Sequence, residues 1–387
     1  MTETATQHPY LDFSGDRIVV TYHLTGNADE AKRKAREITI EQTVEFPPDL
    51  IARPDIPGLI YGKIRTLEEL EHGLVEAKID YAVEIVGDEL TQFLNVLFGN
   101  SSLKPGIRLM GFEAADSFLK MFKGPRFGRD GLRKLLGVPK RPLLCTALKP
   151  MGLSPQELAA LAYQFALGGI DFIKDDHGLA DQPFCPFKER VSLCAEAVAK
   201  ANRETGHNCL YLPNITAPVH KIQDNARWAK QAGAGGVMVA PGLTGLDSMR
   251  LIAEDDDVAL PVLGHPALQG TFTVRPEDGI AHGALFGQLN RLAGADACVF
   301  PHFGGRFSFT EAECRDLVDG TERPMGHMSA IFPVPAGGMS LDRVQELYDF
   351  YGADMILLIG GDLHRHGPDL AENCRTFARL AESTVSG

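Results

Sequence analysis

The sequence predicts an α/β fold: a C-terminal (β/α)8 TIM barrel preceded by an α+β ferredoxin-like domain. Three observations predict it. Short apolar runs alternate with helical stretches through roughly the last 245 residues, the size of such a barrel. Ionisable residues and paired glycines stand just past many of these runs, where a barrel collects its chemistry. The first third of the chain shows neither feature and mixes alternating strands with charged helices.

In chain order, residues 1–12 read as a loose tail. Residues 17–24 (RIVVTYHL) alternate like a strand, 29–37 (DEAKRKARE) form a charged helix, and 38–44 a second strand stopped by Glu45-Phe46-Pro47-Pro48. Residues 66–78 read as a helix with Thr66 as N-cap and Glu69 at capping-box spacing. A strand follows at 80–86 and a helix at 89–97. The segment 123–140 is rich in Gly, Pro and basic residues, and the domain boundary is expected there, dividing 1–125 from 126–387. Eight apolar runs follow, at 143–148, 170–173, 209–213, 236–240, 261–264, 297–301, 331–335 and 355–359. Amphipathic helices fill intervals such as 154–167, 188–204 and 341–351. An open doubly wound sheet is the rival, but no Gly-rich dinucleotide fingerprint follows any run.

The bulk composition bounds the function. A formal net charge of −13 argues against nucleic acid or an anionic membrane as partner, though not against a small anionic substrate. Seven scattered cysteines without a C-x-x-C pair suggest neither a zinc cluster nor a disulfide framework and fit a reducing cytoplasm. No apolar run is long enough for a membrane span.

The most informative stretch is 168–177, GGIDFIKDDH. Its apolar run belongs inside a covered parallel sheet, and Lys174-Asp175-Asp176-His177 then opens at the rim. A regular strand points Lys174 and Asp176 to one side and Asp175 and His177 to the other. One residue of turn brings His177 round to join the first pair. A metal or a substrate would use such a cluster, whereas the plainer alternative is a surface turn with a salt bridge. The other runs end in Lys149-Pro150, Asn214 with Thr216, His265, His302 with Gly304-Gly305-Arg306, Ala336-Gly337-Gly338 and Gly360-Gly361-Asp362. Glycine pairs after the seventh and eighth runs let backbone N–H groups approach an anion, at the usual phosphate position of this fold. Each pair alone also fits a tight turn.

These residues resemble Rubisco, and more closely the Rubisco-like (form IV) proteins that do not fix CO2. The resemblance covers most of the chain and is most specific at 168–176 with Gln182-Pro183-Phe184. It implies that Lys174 carries a CO2-derived carbamate and that Lys174, Asp176 and His177 hold Mg2+ or another divalent metal. It implies proton handling by Lys149, in Thr146-Ala147-Leu148-Lys149-Pro150. It places His265 at a strand-five histidine and Gly337, Gly338, Gly360 and Gly361 at a phosphate. It also implies a homodimer in which Glu41 and Asn100 complete a neighbouring subunit's site. The departures matter as much. His177 replaces an acidic metal ligand, Pro266 stands where an arginine would hold a second phosphate, and the 301–306 loop lacks the lysine that positions CO2. A substrate with one phosphate is expected, without CO2 fixation.

What the resemblance leaves is machinery for enolates. Lys174 beside two aspartates is expected to stay protonated unless a metal reverses that preference. Three activities fit: decarboxylation of a 3-oxo sugar-acid phosphate of the 3-oxo-isoapionate 4-phosphate type, enolisation, or isomerisation of a methylthio-pentulose phosphate. An apolar slot for the last would come from Phe46, Met151 and Phe303. His177, His265 and His302 suggest a polar, anion-handling pocket, which puts the decarboxylase first and the enolase or isomerase second. His302 and Arg306 are further candidates for substrate or phosphate contact. A catalytically silent scaffold is the reading from a different class.

Overall fold

The computed structural model describes residues 12–53 and 55–385, so the expected tail lies, Asp12 apart, outside the described residues. The chain divides into two compact units. One gathers the residues up to Phe122 with Arg275–Ala281 and Met325–His327, and the other holds the remainder.

The first unit is built on a mixed sheet. Its centre is β1 (Arg17–Thr25), whose Ile18, Val20, Tyr22 and Leu24 are fully buried on one face, as strict alternation requires. The following helix, Ala28–Glu41, begins at an Asn27–Glu30 capping box. The strand expected at 38–44 does not form. Ile38 and Thr39 join Ala31 and Ala35 on the helix's buried stripe, so the 3.6 period runs through them. The helix expected at 66–78 does not form either. That segment is a hairpin of β2 (Lys63–Glu69) and β3 (Leu74–Ala82), turning at His72 and Gly73, both with positive φ. Its Leu/Glu-rich composition favours helix, but pairing of β3 with both β1 and β2 buries Val75, Ala77, Ile79 and Tyr81. A strand with no expectation behind it, β4 (Ile107–Ala114), pairs with the other side of β1 through a bulge at Thr21/Tyr22.

The second unit is the barrel. Its strands are β5 (Leu143–Leu148), β6 (Phe172–Asp175), β7 (Leu210–Leu212), β8 (Val237–Val239) and β9 (Val262–Gly264). After β9 the chain lends β10 (Gly279–Ile280) to the first unit, parallel to β4, and then returns for β11 (Ala297–Pro301), β12 (Phe332–Ala336) and β13 (Ile356–Leu358). Parallel pairing gives the orders β13-β5-β6-β7 and β12-β11-β9-β8. An Asn214–Met238 bridge continues the first set into the second, and β12 lies beside β13, closing the ring of eight. All eight apolar runs overlap these strands. The second is shifted: β6 ends on Lys174 and Asp175, so two of the ionisable residues belong to the strand itself.

Inward residues such as Cys145, Phe172, Leu212, Leu263 and Val334 fill the barrel. The segment 123–140 lies in this second unit. It carries the helix Gly128–Leu136, whose Leu132 and Leu136 pack into that same core. The helix start is fastened by the buried Asp296 carboxylate, which accepts from Phe127 N, Gly128 N and Val262 N. Among the described residues no helix is long and apolar enough to cross a membrane.

If this helix seals the barrel, Leu132→Ala should cost about 2–5 kcal/mol in urea unfolding. The neighbouring exposed Leu135→Ala should stay within about 0.5 kcal/mol.

Candidate active site

At the end of β6 the backbone alternation sorts three charged side chains. Asp175 points away from the barrel axis and is wholly buried, ion-paired with Arg190 Nε at 3.1 Å. It also accepts from Tyr211 Oη at 2.8 Å and Asn214 N at 3.0 Å. Arg190, on the helix Phe187–Thr205, donates in turn to the Ala180 and Cys185 carbonyls. Lys174 and Asp176 face the other way, into a cavity of about 1100 Å³ at the C-terminal rim.

Lys174 is buried, and its Nζ donates to Asp175 O at 2.9 Å. Burial pushes its amine below the ordinary lysine value, although Cys145 and the neighbouring carboxylates act the other way. The reason is geometric: the Asp175 carboxylate is turned away and spent on Arg190. Asp176 Oδ1 lies 3.0 Å from Lys149 Nζ and 3.4 Å from His177 Nδ1. Burial pushes the Asp176 carboxyl up, but hydrogen bonds from His177 and Lys149 outweigh it and hold it well below the usual carboxylate range. The turn closed by Leu179 N on Asp176 O brings His177 to the cavity side, as a one-residue turn predicts. Its ring stacks on His265, with centroids 4.6 Å apart and planes at 16°. Burial, with Lys174 and His177 nearby, pushes His265 down to about 2, so its imidazole is neutral. Ala267 N donates to its Nδ1, which leaves the ring proton on Nε2.

Gly337 and Gly338 line the cavity from the end of β12 with φ of 93° and 101°. A Cβ on Gly337 would stand 2.9 Å from the Phe307 ring, so only glycine fits this turn. Gly360 and Gly361 line it from the end of β13, and Arg306 does so from the loop after β11, its N donating to Gly337 O. Arg306 does not cap the following helix, because Thr310 and Glu313 form that capping box.

Other expected residues are placed differently. His302 is buried but is not on the cavity wall. Arg343 Nη2 must donate to its Nε2 (3.3 Å), so its Nδ1 proton goes to Tyr351 Oη (2.7 Å). Asn214 donates to the His177 and Leu179 carbonyls, and Thr216 accepts from Ala240 N, so both tie strand ends together. Glu41 and Asn100 hydrogen-bond each other at 3.1 Å in the first unit. Phe46, Met151 and Phe303 are the residues expected to form an apolar slot. Phe46 and Met151 are exposed, and Phe303 packs on Phe350 and His302. Phe286, Phe307, Phe309 and Val274 supply the apolar wall instead. The FGGRFSF spacing after β11 offered a signal for Phe307 and Phe309, whereas Phe286 lies in an apolar stretch with none.

The fold and rim define a (β/α)8 barrel protein with lysine, carboxylate and imidazole groups opposed to paired glycines. A model of the ribulose bisphosphate carboxylase large chain, catalytic domain, matches residues 129–385, and the chain belongs to the Rubisco large-chain family. A Rubisco-like protein from Rhodopseudomonas palustris, known from its crystal structure, is 41% identical, with a TM-score of 0.86 over 95% of this chain and 98% of that one. The chain is also similar to a 5-methylthioribulose-1-phosphate isomerase from Rhodospirillum rubrum, 38% identical over 96% of this chain and 98% of the relative. A 2,3-diketo-5-methylthiopentyl-1-phosphate enolase from Bacillus pumilus is 32% identical over 96% and 93%.

Two predictions follow from these contacts. Asp175→Asn leaves the Arg190 guanidinium buried without its anion and should cost about 3–5 kcal/mol in urea unfolding. Burial and then Arg343 hold His302 down at about 4, so the fold binds its neutral form. The unfolded chain therefore takes up the proton first, and stability is lost as pH falls below about 6.5. Between pH 7 and pH 5 the group should cost about 2 kcal/mol. His302→Asn should remove that part of the acid sensitivity, read as the difference between urea midpoints at the two pH values.

Proposed function

We propose that the protein enolises a phosphorylated ketose, moving a proton at a pentulose 1-phosphate that carries a methylthio-type apolar substituent. The observation behind this is one cavity with two characters. Lys149, Lys174, Asp176, His177 and His265 line it together with Phe286, Phe307 and Phe309. The isomerase and enolase relatives support the same reading. The decarboxylase is moved to second place, because one of the three histidines behind it, His302, is committed to Tyr351 and Arg343.

In this reading the amides of Gly337, Gly338, Gly360 and Gly361, with Arg306, hold the phosphate. Neutral His265 donates its Nε2 proton to a substrate oxygen. Lys149, next to Asp176, moves the carbon-bound proton. Among the described residues no three His, Cys, Asp or Glu side chains form a metal-binding group. Asp176 and His177 therefore need a third donor, and Lys174 supplies it once its neutral amine adds CO2 and loses a proton. That set of two oxygen donors and an imidazole fits Mg2+ or another divalent ion. When bound, such an ion polarises the substrate carbonyl and stabilises negative charge as it develops on the oxygen. We also propose a homodimer in which the Glu41–Asn100 pair completes a neighbouring subunit's site. An active monomer in sedimentation would contradict it.

The test is incubation in D2O with Mg2+ and bicarbonate, followed by NMR, with methylthio-pentulose phosphates and 3-oxo sugar-acid phosphates offered in parallel. Deuterium incorporation or isomer formation without CO2 release is expected. CO2 loss would establish the decarboxylase, and inertness that EDTA does not change would favour the silent scaffold. Lys149→Met should lower exchange by roughly 10²–10⁴-fold. With 13C-bicarbonate a carbamate resonance should appear in the wild type and be absent in Lys174→Met.

A further inference from the structure

We propose that Phe286, held on a π-helical turn, sets the length of the apolar substituent that the cavity admits. The inference rests on the enolising reading above, in which the substrate carries a phosphate and an apolar tail.

The connection between β9 and β11 contains a π-helix, Gly283–Leu289, and all seven of its residues are buried. A π-helix adds a residue to each turn and so re-aims its side chains relative to an α-helix, which is why such turns gather at functional sites. This one is clamped. A Cβ on Gly287 would lie 2.3 Å from the Gly320 carbonyl carbon, and one on Gly320 would lie 2.2 Å from Gly283 O. The π-helix and the helix Glu311–Glu322 therefore touch backbone to backbone. Gly283 N also donates to Asp316 Oδ2 at 2.7 Å. Neither element can slide or roll past the other without a clash.

Phe286 leaves this clamped turn and forms part of the cavity wall, with its own surface almost wholly buried. Its ring leans on Phe309 and His282, with centroids 6.2 and 6.1 Å away. Leu268, Val274 and Phe307 of the same cavity are each more than half exposed and belong to the rim, whereas Val299 and Phe300 line it from β11 and are buried like Phe286. In the ring order β11 stands four strands from β6, across the barrel from Lys174. A substrate tail directed away from Lys174 thus passes the exposed rim and meets a buried wall, in which Phe286 is the ring carried by the clamped turn.

Binding of unreactive n-alkyl phosphates, from methyl to octyl, tests this by calorimetry, with inorganic phosphate as baseline. Wild-type affinity should rise roughly fourfold per methylene and then stop rising at a definite length. That break should move to longer chains in Phe286→Leu and further in Phe286→Ala. The rim variant Phe307→Ala should weaken the series without moving the break. If Phe286→Ala fails to fold, Phe286→Leu carries the test. A break that stays in place in a folded Phe286 variant, or affinity that never rises with length, overturns the proposal. The series needs no turnover. A moved break with no deuterium exchange in any sugar would therefore fail the enolising reading while leaving the role of Phe286 standing.

Discussion

Asp175 and Arg190 form the interaction on which the rim of the barrel depends. Two opposite charges, both without solvent exposure, are costly to bury and need further hydrogen-bonding partners besides each other. Here the carboxylate also takes Tyr211 and Asn214 N, and the guanidinium takes two carbonyls of the loop that follows β6. One ion pair thus ties β6, β7, the helix behind them and the loop between. It works on the outer face of β6, so its effect on the inner face is indirect. By consuming the Asp175 charge it leaves Lys174 to be governed by burial, and by fixing the strand end it sets where Asp176 and His177 emerge.

The cavity face shows the complementary balance. Lys149 and His177 both converge on the Asp176 carboxylate, which stays ionised although partly buried. Lys174, two residues earlier, is more deeply buried, and burial lowers its pKa. Both pKa values are lowered, that of Lys174 by burial and that of Asp176 by its hydrogen-bonding partners against burial. The stacked His265 ring, kept uncharged in the same surroundings, adds a donor without adding a cation. An amine with a lowered pKa, an anionic carboxylate and a neutral imidazole lie within one cluster.

The barrel was legible in the sequence because each strand is buried on both faces and reads as an apolar run punctuated by rim residues. The motif GGIDFIKDDH and the glycine pairs pointed to the rim for the same reason. The N-terminal unit was less legible. Residues 66–78 carry helix-favouring Leu and Glu, and only pairing with a distant strand makes them a hairpin. Ile38 and Thr39 read equally as strand or helix until the buried stripe begun by Ala31 is known. His302 shows the limit at the site. Its position after β11 is a rim position, but whether a side chain faces the cavity or the helices outside depends on Tyr351 and Arg343, far away in sequence.

Phe286 illustrates a second kind of illegibility. Nothing in HGALFGQLN distinguishes a π-helix from an α-helix, and its glycines read as helix-weakening residues. Their purpose lies in a contact with Gly320 on another element, where even a methyl group would collide with backbone. A wall held this way cannot yield to a longer ligand, whereas the rim loops can. The Asp175–Arg190 pair and the glycine contact thus act alike from opposite sides of the barrel. Each uses buried contacts outside the cavity so that a few groups inside it, Lys174 and Asp176 on one side and Phe286 on the other, are held at fixed positions. A preorganised site of this kind loses little free energy to rearrangement when a ligand arrives.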